Sequence, residues 1–531
     1  MAAKEQNGVM KKRSSILWIS LVAFLAALPA STASAQARPY NLEATVASAM
    51  EAFHVPGMAV AVVKDGVVVS AKGYGVKTLG QPAPVDDQTL FGIASNTKVL
   101  TAAALGTLVD EGRLEWDAPV IRYLPWFRLS DPYVTREITI RDLLVHRSGL
   151  GLGAGDLLWW PPSTYNRRQI AERIAEIPLA TSFRSAYAYD NVLYLVAGQV
   201  IESITGKSWE DYVSERLLKR MGMTTSTVTH SSASGGGNVA TPHAFVSGAL
   251  QTVKPFDSDN TNPAGGIMSN AKDIAKWLIV FLNRGRLAEG TRLYSEAVAT
   301  ELETMVTPLR GGPLPAELSA LKANFRGYAL GLGVSDYRGR KLVTHTGGLP
   351  GYTSRLAWLP EINAGVAILT NQESGDAWNS VAWTVLDHYL GATDTAWVGA
   401  YSKVKARRDA DEAKAEAATV SKRDTGSSPS LPLAKYAGTY NDSWYGDIAI
   451  ALEAGRLVMR FTKTPVLIGD LEHWQHDTFV VKWRDRELRA DAFITFALDP
   501  DGAIDQARMK PVSTSTDFSF DFQDLRLRPK K

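Results

Sequence analysis

Ser95-Asn96-Thr97-Lys98-Val99-Leu100-Thr101-Ala102-Ala103-Ala104-Leu105 is the stretch from which the rest of the chain can be read. The apolar run Val99 to Val109 predicts a helix, closed by Asp110-Glu111-Gly112 with glycine at its stop. Ser95 and Lys98 stand three apart, and residues so spaced on a helix share a face. An amine then lies beside a hydroxyl, at a helix start whose backbone N–H groups point towards the serine. A serine hydroxyl is a poor nucleophile until a neighbouring base or cation activates it, and lysine can act as either. The pattern alone is weak, because Ser-x-x-Lys recurs at Ser269/Lys272, Ser319/Lys322 and Ser402/Lys405. Ser269 reads as the N-cap of a following apolar helix. Ser402 belongs to a charged helix, and Ser319 lies in a stretch of mixed polarity.

Two further motifs single out Ser95. Tyr189-Asp190-Asn191 is the one Tyr-x-Asn in the chain, and His345-Thr346-Gly347 is the one His-Thr-Gly, followed by Gly348. The order Ser-x-x-Lys, Tyr-x-Asn, His-Thr-Gly, with 94 and then 156 residues between the lead positions, resembles the serine β-lactamase/penicillin-binding superfamily. The likeness is to the branch holding class C β-lactamases, family VIII esterases and D-aminopeptidases. It runs from about Leu42 to Leu390 and includes Leu143-Leu-Val-His-Arg-Ser-Gly-Leu150, Pro263-Ala-Gly-Gly-Ile-Met-Ser269 and Met221-Gly-Met223.

The resemblance implies an α+β fold: an α/β/α sandwich around an antiparallel sheet, with a helical subdomain. It implies acyl transfer through an acyl-enzyme on Ser95, with Lys98, Tyr189 and His345 completing the catalytic set. A phenol titrates near 10, so Tyr189 needs a neighbouring cation, Lys98, to act as phenolate near neutral pH. Whether Lys98 or Tyr189 takes the proton stays open at this point. The backbone N–H groups of Ser95 and Gly348 would hold the oxyanion. Asn191 would bond the acyl side of the substrate or the lysine, and Thr346 and Gly347 would line the substrate-binding strand. His345 departs from the β-lactamase pattern, because many relatives carry lysine there to meet a carboxylate. Histidine is mostly neutral at pH 7 and attracts a carboxylate less. The reading is therefore a peptidase or amidase on short peptides, with D- or non-standard residues or linearised cyanobacterial cyclic peptides among the candidates. A carboxylesterase of the same fold, or a penicillin- or peptidoglycan-binding protein with little turnover, are the alternatives.

Other candidates are weaker. No Gly-x-Ser-x-Gly elbow and no His-Glu-x-x-His occurs, and there is no cysteine for thiolate or zinc chemistry. The resemblance calls for no cofactor and no metal. His473-x-x-His476 reads as surface or core, and His146 as structural. Two adjacent tryptophans, Trp159 and Trp160, are hard to bury together, so one of them is a candidate for lining the substrate cleft.

Early strand-like runs (Met58 to Val63, Val67 to Val69), a helical middle and late runs (Leu356 to Trp358, Val366 to Leu369) predict a sheet assembled from both ends of a domain spanning 40–395. A charged helix and flexible linker follow over 396–432. Residues 433–531 turn to short β runs and strong turns such as Asp499-Pro500-Asp501-Gly502, a small all-β, lipocalin-like barrel. Leu471 to Asp477 and Asp517 to Phe522 resemble the small domain appended to many such hydrolases. In related peptidases it restricts access to the site or builds a homo-oligomer. Residues 1–35 read as a signal peptide, with Lys11-Lys12-Arg13, an apolar run Ile16 to Leu28, and Ala33-Ser34-Ala35 before cleavage at Gln36. Periplasmic or secreted placement follows, with membrane contact only through export. The formal charge of +2 rests on that segment, and a near-neutral remainder has no electrostatic footprint for nucleic acid. The expected partner is a small peptide, amide or ester substrate.

Overall fold

The computed structural model describes residues 41–233, 237–392 and 394–530. The signal-peptide reading of 1–35 lies outside them. Strand Gly57–Lys64 shows how the sheet is built. Met58, Val60 and Val62 face one apolar core, and Ala59, Ala61 and Val63 face another. A strand covered on both faces reads as a continuous apolar run rather than an alternating one. Asp65 and Gly66 both take positive φ, as a two-residue hairpin turn into Val67–Gly75 requires. On its other edge Gly57–Lys64 pairs antiparallel with Ala364–Thr370, Met58 opposite Thr370 and Lys64 opposite Ala364. The two ends of the domain thus meet in the sheet, as the sequence predicts.

From there the antiparallel order continues through Tyr352–Leu359, Arg340–Leu349, Gly333–Tyr337, Arg326–Tyr328 and Thr307–Pro308. Helices Leu42–Ala52 and Gly375–Leu390 cover one face. Ala271–Leu282 and the helical subdomain, with Thr97–Asp110 at its centre, cover the other. The charged helix spans Trp397–Ser421, from the start of the 396–432 segment read in the sequence. Its first turn is apolar: Trp397 donates its indole N–H to Asp387 at 2.9 Å, and the Tyr401 hydroxyl accepts from the Trp383 indole at 2.9 Å. The segment after it differs from a free linker. Arg423 Nε donates to the Trp474 carbonyl at 2.8 Å, and Ser430 N to Asp477 at 2.9 Å. The polar groups that look solvated in the sequence are partners for the Trp474–Asp477 turn.

The C-terminal strands run in sequence order from Gly438–Asp442 to Ile504–Pro511, and Arg528–Pro529 pairs back on the first. A bridge between Ala507 and Leu527 nearly closes this sheet into a barrel. Its core is aromatic, with Trp483 stacked on Phe522 at 5.7 Å. The barrel packs on the catalytic domain: the Tyr165 hydroxyl donates to the Tyr445 carbonyl at 2.6 Å, and Arg489 grips Glu373 with two bonds.

Candidate active site

Ser95 sits in a 3-10 turn, Ala94–Asn96, immediately before helix Thr97–Asp110. Ala94 has φ of +50°, a strained value for a residue with a side chain, and this turns the hydroxyl of Ser95 towards a cleft of roughly 460 Å³. The strain is held from several sides. Asn96 Nδ2 donates to Ser354 Oγ at 2.7 Å, and Ser354 Oγ donates to the Ile93 carbonyl at 2.8 Å. Ile93 N bonds the Ile267 carbonyl at 3.0 Å.

Lys98 is fully buried below Ser95. Its Nζ lies 2.9 Å from Ser95 Oγ, 2.7 Å from Asn191 Oδ1 and 2.9 Å from the Ala264 carbonyl. Of the two partners expected for Asn191, the lysine is the one in hydrogen-bond contact here. The Pro263-Ala-Gly-Gly signature supplies the third acceptor. Burial pulls the Lys98 ammonium down to about 7, against the opposing attraction of Asp156 and Asp190. The other Ser-x-x-Lys serines have no such setting. Ser269 is not an N-cap: it lies in a short strand with its hydroxyl on Ser226, and Asn270 caps the helix by accepting from Asp273 N. Ser402 bonds back to the Val398 carbonyl within its own helix, and Ser319 lies in the 3-10 helix Ala316–Leu321.

Tyr189 faces the Ser95 hydroxyl, and its ring lies 5.0 Å from Lys98 Nζ. His146 holds it in place. The His146 carbonyl accepts from Ala188 N, its Nδ1 accepts from Asp190 N at 3.1 Å, and its ring lies 4.3 Å from that of Tyr189. The sequence leaves open which of Lys98 and Tyr189 takes the proton, and the surroundings of Tyr189 favour its neutral form. Burial pushes the phenol well above its ordinary value, and Tyr187, Asp156 and Asp190 add to the cost of a second anion. The phenol therefore keeps its proton near neutral pH.

His345, Thr346, Gly347 and Gly348 lie on strand Arg340–Leu349 along the cleft. His345 Nδ1 is 2.6 Å from the Thr346 carbonyl and its Nε2 is 2.8 Å from the Tyr328 hydroxyl. A carbonyl only accepts, so Nδ1 carries the proton and Nε2 accepts from Tyr328. Burial, with Lys98 nearby, pulls the imidazole down to about 3. Both nitrogens are engaged within the protein, so His345 braces the strand and has no free donor for a substrate carboxylate.

Gly347 is required by close approach. A Cβ there would overlap the Ile93 carbonyl oxygen and come within 2.6 Å of Ser354 Oγ, whereas one at Gly348 would meet nothing within 4 Å. Gly347→Ala is expected to cost about 1–3 kcal/mol of stability through overpacking and to lower kcat. Gly348→Ala should leave the denaturant midpoint unchanged and raise KM. Urea unfolding and steady-state kinetics on the pair check both.

Trp159 and Trp160 are both buried and both line the cleft, edge to face at 5.5 Å. The sequence allowed only one of them this role. Phe256, and Phe520 from the C-terminal domain, supply the cover that a single loop lacks. Phe518 reaches further, with its ring edge-on to Tyr189 at 5.9 Å. Behind Asn191 lies Asp156, which sequence reasoning missed. It is fully buried, and burial pushes its carboxyl up to about 7. No local motif marks it: it lies 35 residues before Asn191. His473 Nε2 donates to the His476 carbonyl at 2.9 Å. Among the described residues no group of three metal-binding side chains converges.

Comparison with known proteins bears on the family and the fold. Residues 42–390 match the family model described as Beta-lactamase, and residues 422–529 match a domain of unknown function, DUF3471. The chain is 28% identical over 436 residues to the protein named Unguisins hydrolase ungD' of Aspergillus campestris (strain IBT 28561), covering 77% of each. The octameric penicillin-binding protein homologue from Pyrococcus abyssi superposes with a TM-score of 0.54 at 21% identity, over 92% of this chain and 98% of that one. A D-stereospecific amidohydrolase from Streptomyces sp. superposes with a TM-score of 0.52 at 22% identity, over 65% and 99%. These two likenesses concern the fold.

Proposed function

Because the chain belongs to the Beta-lactamase family through residues 42–390, a family of serine hydrolases, we propose that it is an exported amidase or peptidase acting on short peptides through an acyl-enzyme on Ser95. One observation carries the reading: a buried lysine, held down to about 7, stands 2.9 Å from the hydroxyl of a serine that opens on the cleft. A base with a pKa near the working pH is best suited to take a proton in the transition state. In this reading the Lys98 amine accepts the Ser95 proton as Oγ bonds to the substrate carbonyl carbon. The N–H groups of Ser95 and Gly348 receive the developing oxyanion. The departing nitrogen takes a proton from the Tyr189 phenol, which recovers one from the Lys98 ammonium. Water then attacks the acyl-serine by the reverse transfers, releasing the acid and restoring the Ser95 hydroxyl.

The neutral Tyr189 favours an amide over an ester. An amine leaves only when protonated, while an aryl or alkyl oxygen depends less on a donor. The relative named as an unguisins hydrolase supports hydrolysis as the reaction. The internally bonded His345 counts against a substrate whose carboxylate must be gripped at that strand, as in β-lactams. The test is a panel: L- and D-amino-acid p-nitroanilides, a p-nitrophenyl ester and a chromogenic cephalosporin. Turnover of at least one anilide, with slow or no cephalosporin hydrolysis, is the expected result. Ester turnover without any anilide would move the reading to an esterase, and rapid cephalosporin hydrolysis would overturn it.

A further inference from the structure

Lys98 shows three acceptors to its three N–H groups: Ser95 Oγ, Asn191 Oδ1 and the Ala264 carbonyl. When the amine is neutral it has two N–H groups and one lone pair. With Asn191 Oδ1 and the Ala264 carbonyl both acting as obligate acceptors, the two N–H groups go to them. The lone pair is left for the Ser95 proton. This holds only while Asn191 turns its oxygen, and not its NH2 group, towards Lys98. An amide flipped about its axis would present donors there and draw the lone pair away from the serine.

The residue that fixes the amide is Asp156. Its Oδ2 accepts from Asn191 Nδ2 at 2.8 Å and from Ser519 Oγ at 2.9 Å, and its Oδ1 accepts from the Trp159 indole at 3.0 Å. Three donors converge on one carboxyl, a set that an ionised carboxylate satisfies completely. Ser519 comes from the C-terminal domain, 363 residues away in the chain. Its loop is anchored on both sides. Asp521 accepts from Gly155 N at 2.7 Å and Leu157 N at 3.0 Å, and Phe522 stacks on Trp483 inside the barrel. The charged and titratable groups around Asp156 are Lys98, Asp190, Asp521 and Tyr189. Lys98 is the one cation among them.

We propose that Asp156 is a positioning residue for acyl transfer, locking the Asn191 amide so that neutral Lys98 aims its lone pair at Ser95, and that Ser519 makes the C-terminal domain part of that lock. The proposal rests on the acyl-enzyme reading above. It gives the C-terminal domain a role in the chemical step, through a chain of contacts from Ser519 to Asp156, Asn191 and Lys98.

The experiment uses the full chain and the anilide or p-nitrophenyl ester that it turns over fastest. In Asp156→Asn, an NH2 group in the Oδ2 place takes the acceptor from both Asn191 Nδ2 and Ser519 Oγ and is satisfied by flipping Asn191, while one in the Oδ1 place strands the Trp159 indole. We expect kcat to fall about a hundredfold, the scale of a misaligned catalytic group, with KM little changed. The swap variant D156N/N191D restores a donor–acceptor match between the two positions, with the donor now at 156, and keeps an acceptor facing Lys98. It should regain about tenfold over D156N. It should also move the acid limb of kcat/KM to higher pH, because a carboxylate beside Lys98 favours the ammonium. Ser519→Ala removes one hydrogen bond and should cost about fivefold in kcat. Thermal unfolding of each variant separates lost chemistry from lost fold. The proposal is overturned if folded D156N keeps kcat within twofold of the parent, or if the swap recovers nothing while melting as the parent does. An unchanged kcat in S519A would remove the C-terminal domain from the lock. A Ser95→Ala control that still turns over would instead sink the acyl-enzyme reading itself, so the two failures are distinguishable.

Discussion

Ser95→Ala is expected to lower kcat/KM to the rate of the unassisted site, a loss of at least about 10³-fold, while the protein melts as the parent does. The structural argument separates these two effects. The substitution removes one oxygen from a turn held by Ala94, Asn96 and Ser354, none of whose bonds uses that oxygen. Lys98 loses one of three partners but keeps Asn191 at 2.7 Å and the Ala264 carbonyl at 2.9 Å, so no buried charge is stranded. What disappears is the atom that forms the acyl bond. Two measurements check it: steady-state turnover of the best anilide, and intact mass after reaction with a p-nitrophenyl ester. The parent should carry an acyl adduct on the peptide containing Ser95 and the variant none. An adduct in the variant, or turnover within tenfold of the parent, would place the nucleophile elsewhere.

What the sequence reveals of this site follows from chain distance. Ser95 and Lys98 are three apart, so helix geometry alone places one beside the other. The strands of the sheet are legible for a similar reason: Met58 to Val63 and Val366 to Leu369 are apolar at every position because helices cover both faces. Contacts between distant segments leave no such trace. Asp156 meets Asn191 across 35 residues and Ser519 across 363, and none of the three lies in a pattern that announces its partner. Trp159 and Trp160 looked too large to bury together because the cover, Phe256 and Phe520, comes from elsewhere in the chain. Protonation states are least legible. A tyrosine beside a lysine suggests phenolate, but burial and two nearby carboxyls hold Tyr189 neutral. The same holds for His345, whose bond to Tyr328 cannot be inferred from a His-Thr-Gly motif.

Replacing Lys98 tests the other half of the chemistry, and here the pH profile carries the argument. Base catalysis needs the neutral amine. With its pKa drawn down to about 7, the neutral fraction grows as pH rises through that value. The parent's kcat/KM should therefore climb on the acid side with a midpoint near 7 and level off above it. No alkaline fall is expected from Tyr189 within the working range, since its phenol is held well above the ordinary value. Lys98→Met fills the buried space with an apolar chain of similar length and has no titrating group. Its kcat/KM should drop about 10³-fold, within the range for loss of a general base, and the acid limb near 7 should vanish. Lys98→Arg offers a contrasting variant. A guanidinium stays charged throughout and cannot accept the serine proton, so it should be at least as inactive as the methionine variant despite keeping a cation beside Ser95. If arginine restored activity, the lysine would be acting as a fixed charge and Tyr189 would return as the candidate base. If the acid limb survived in Lys98→Met, another group would be titrating there. Asp156, pushed up to about 7 and three contacts from the serine, is the first to examine.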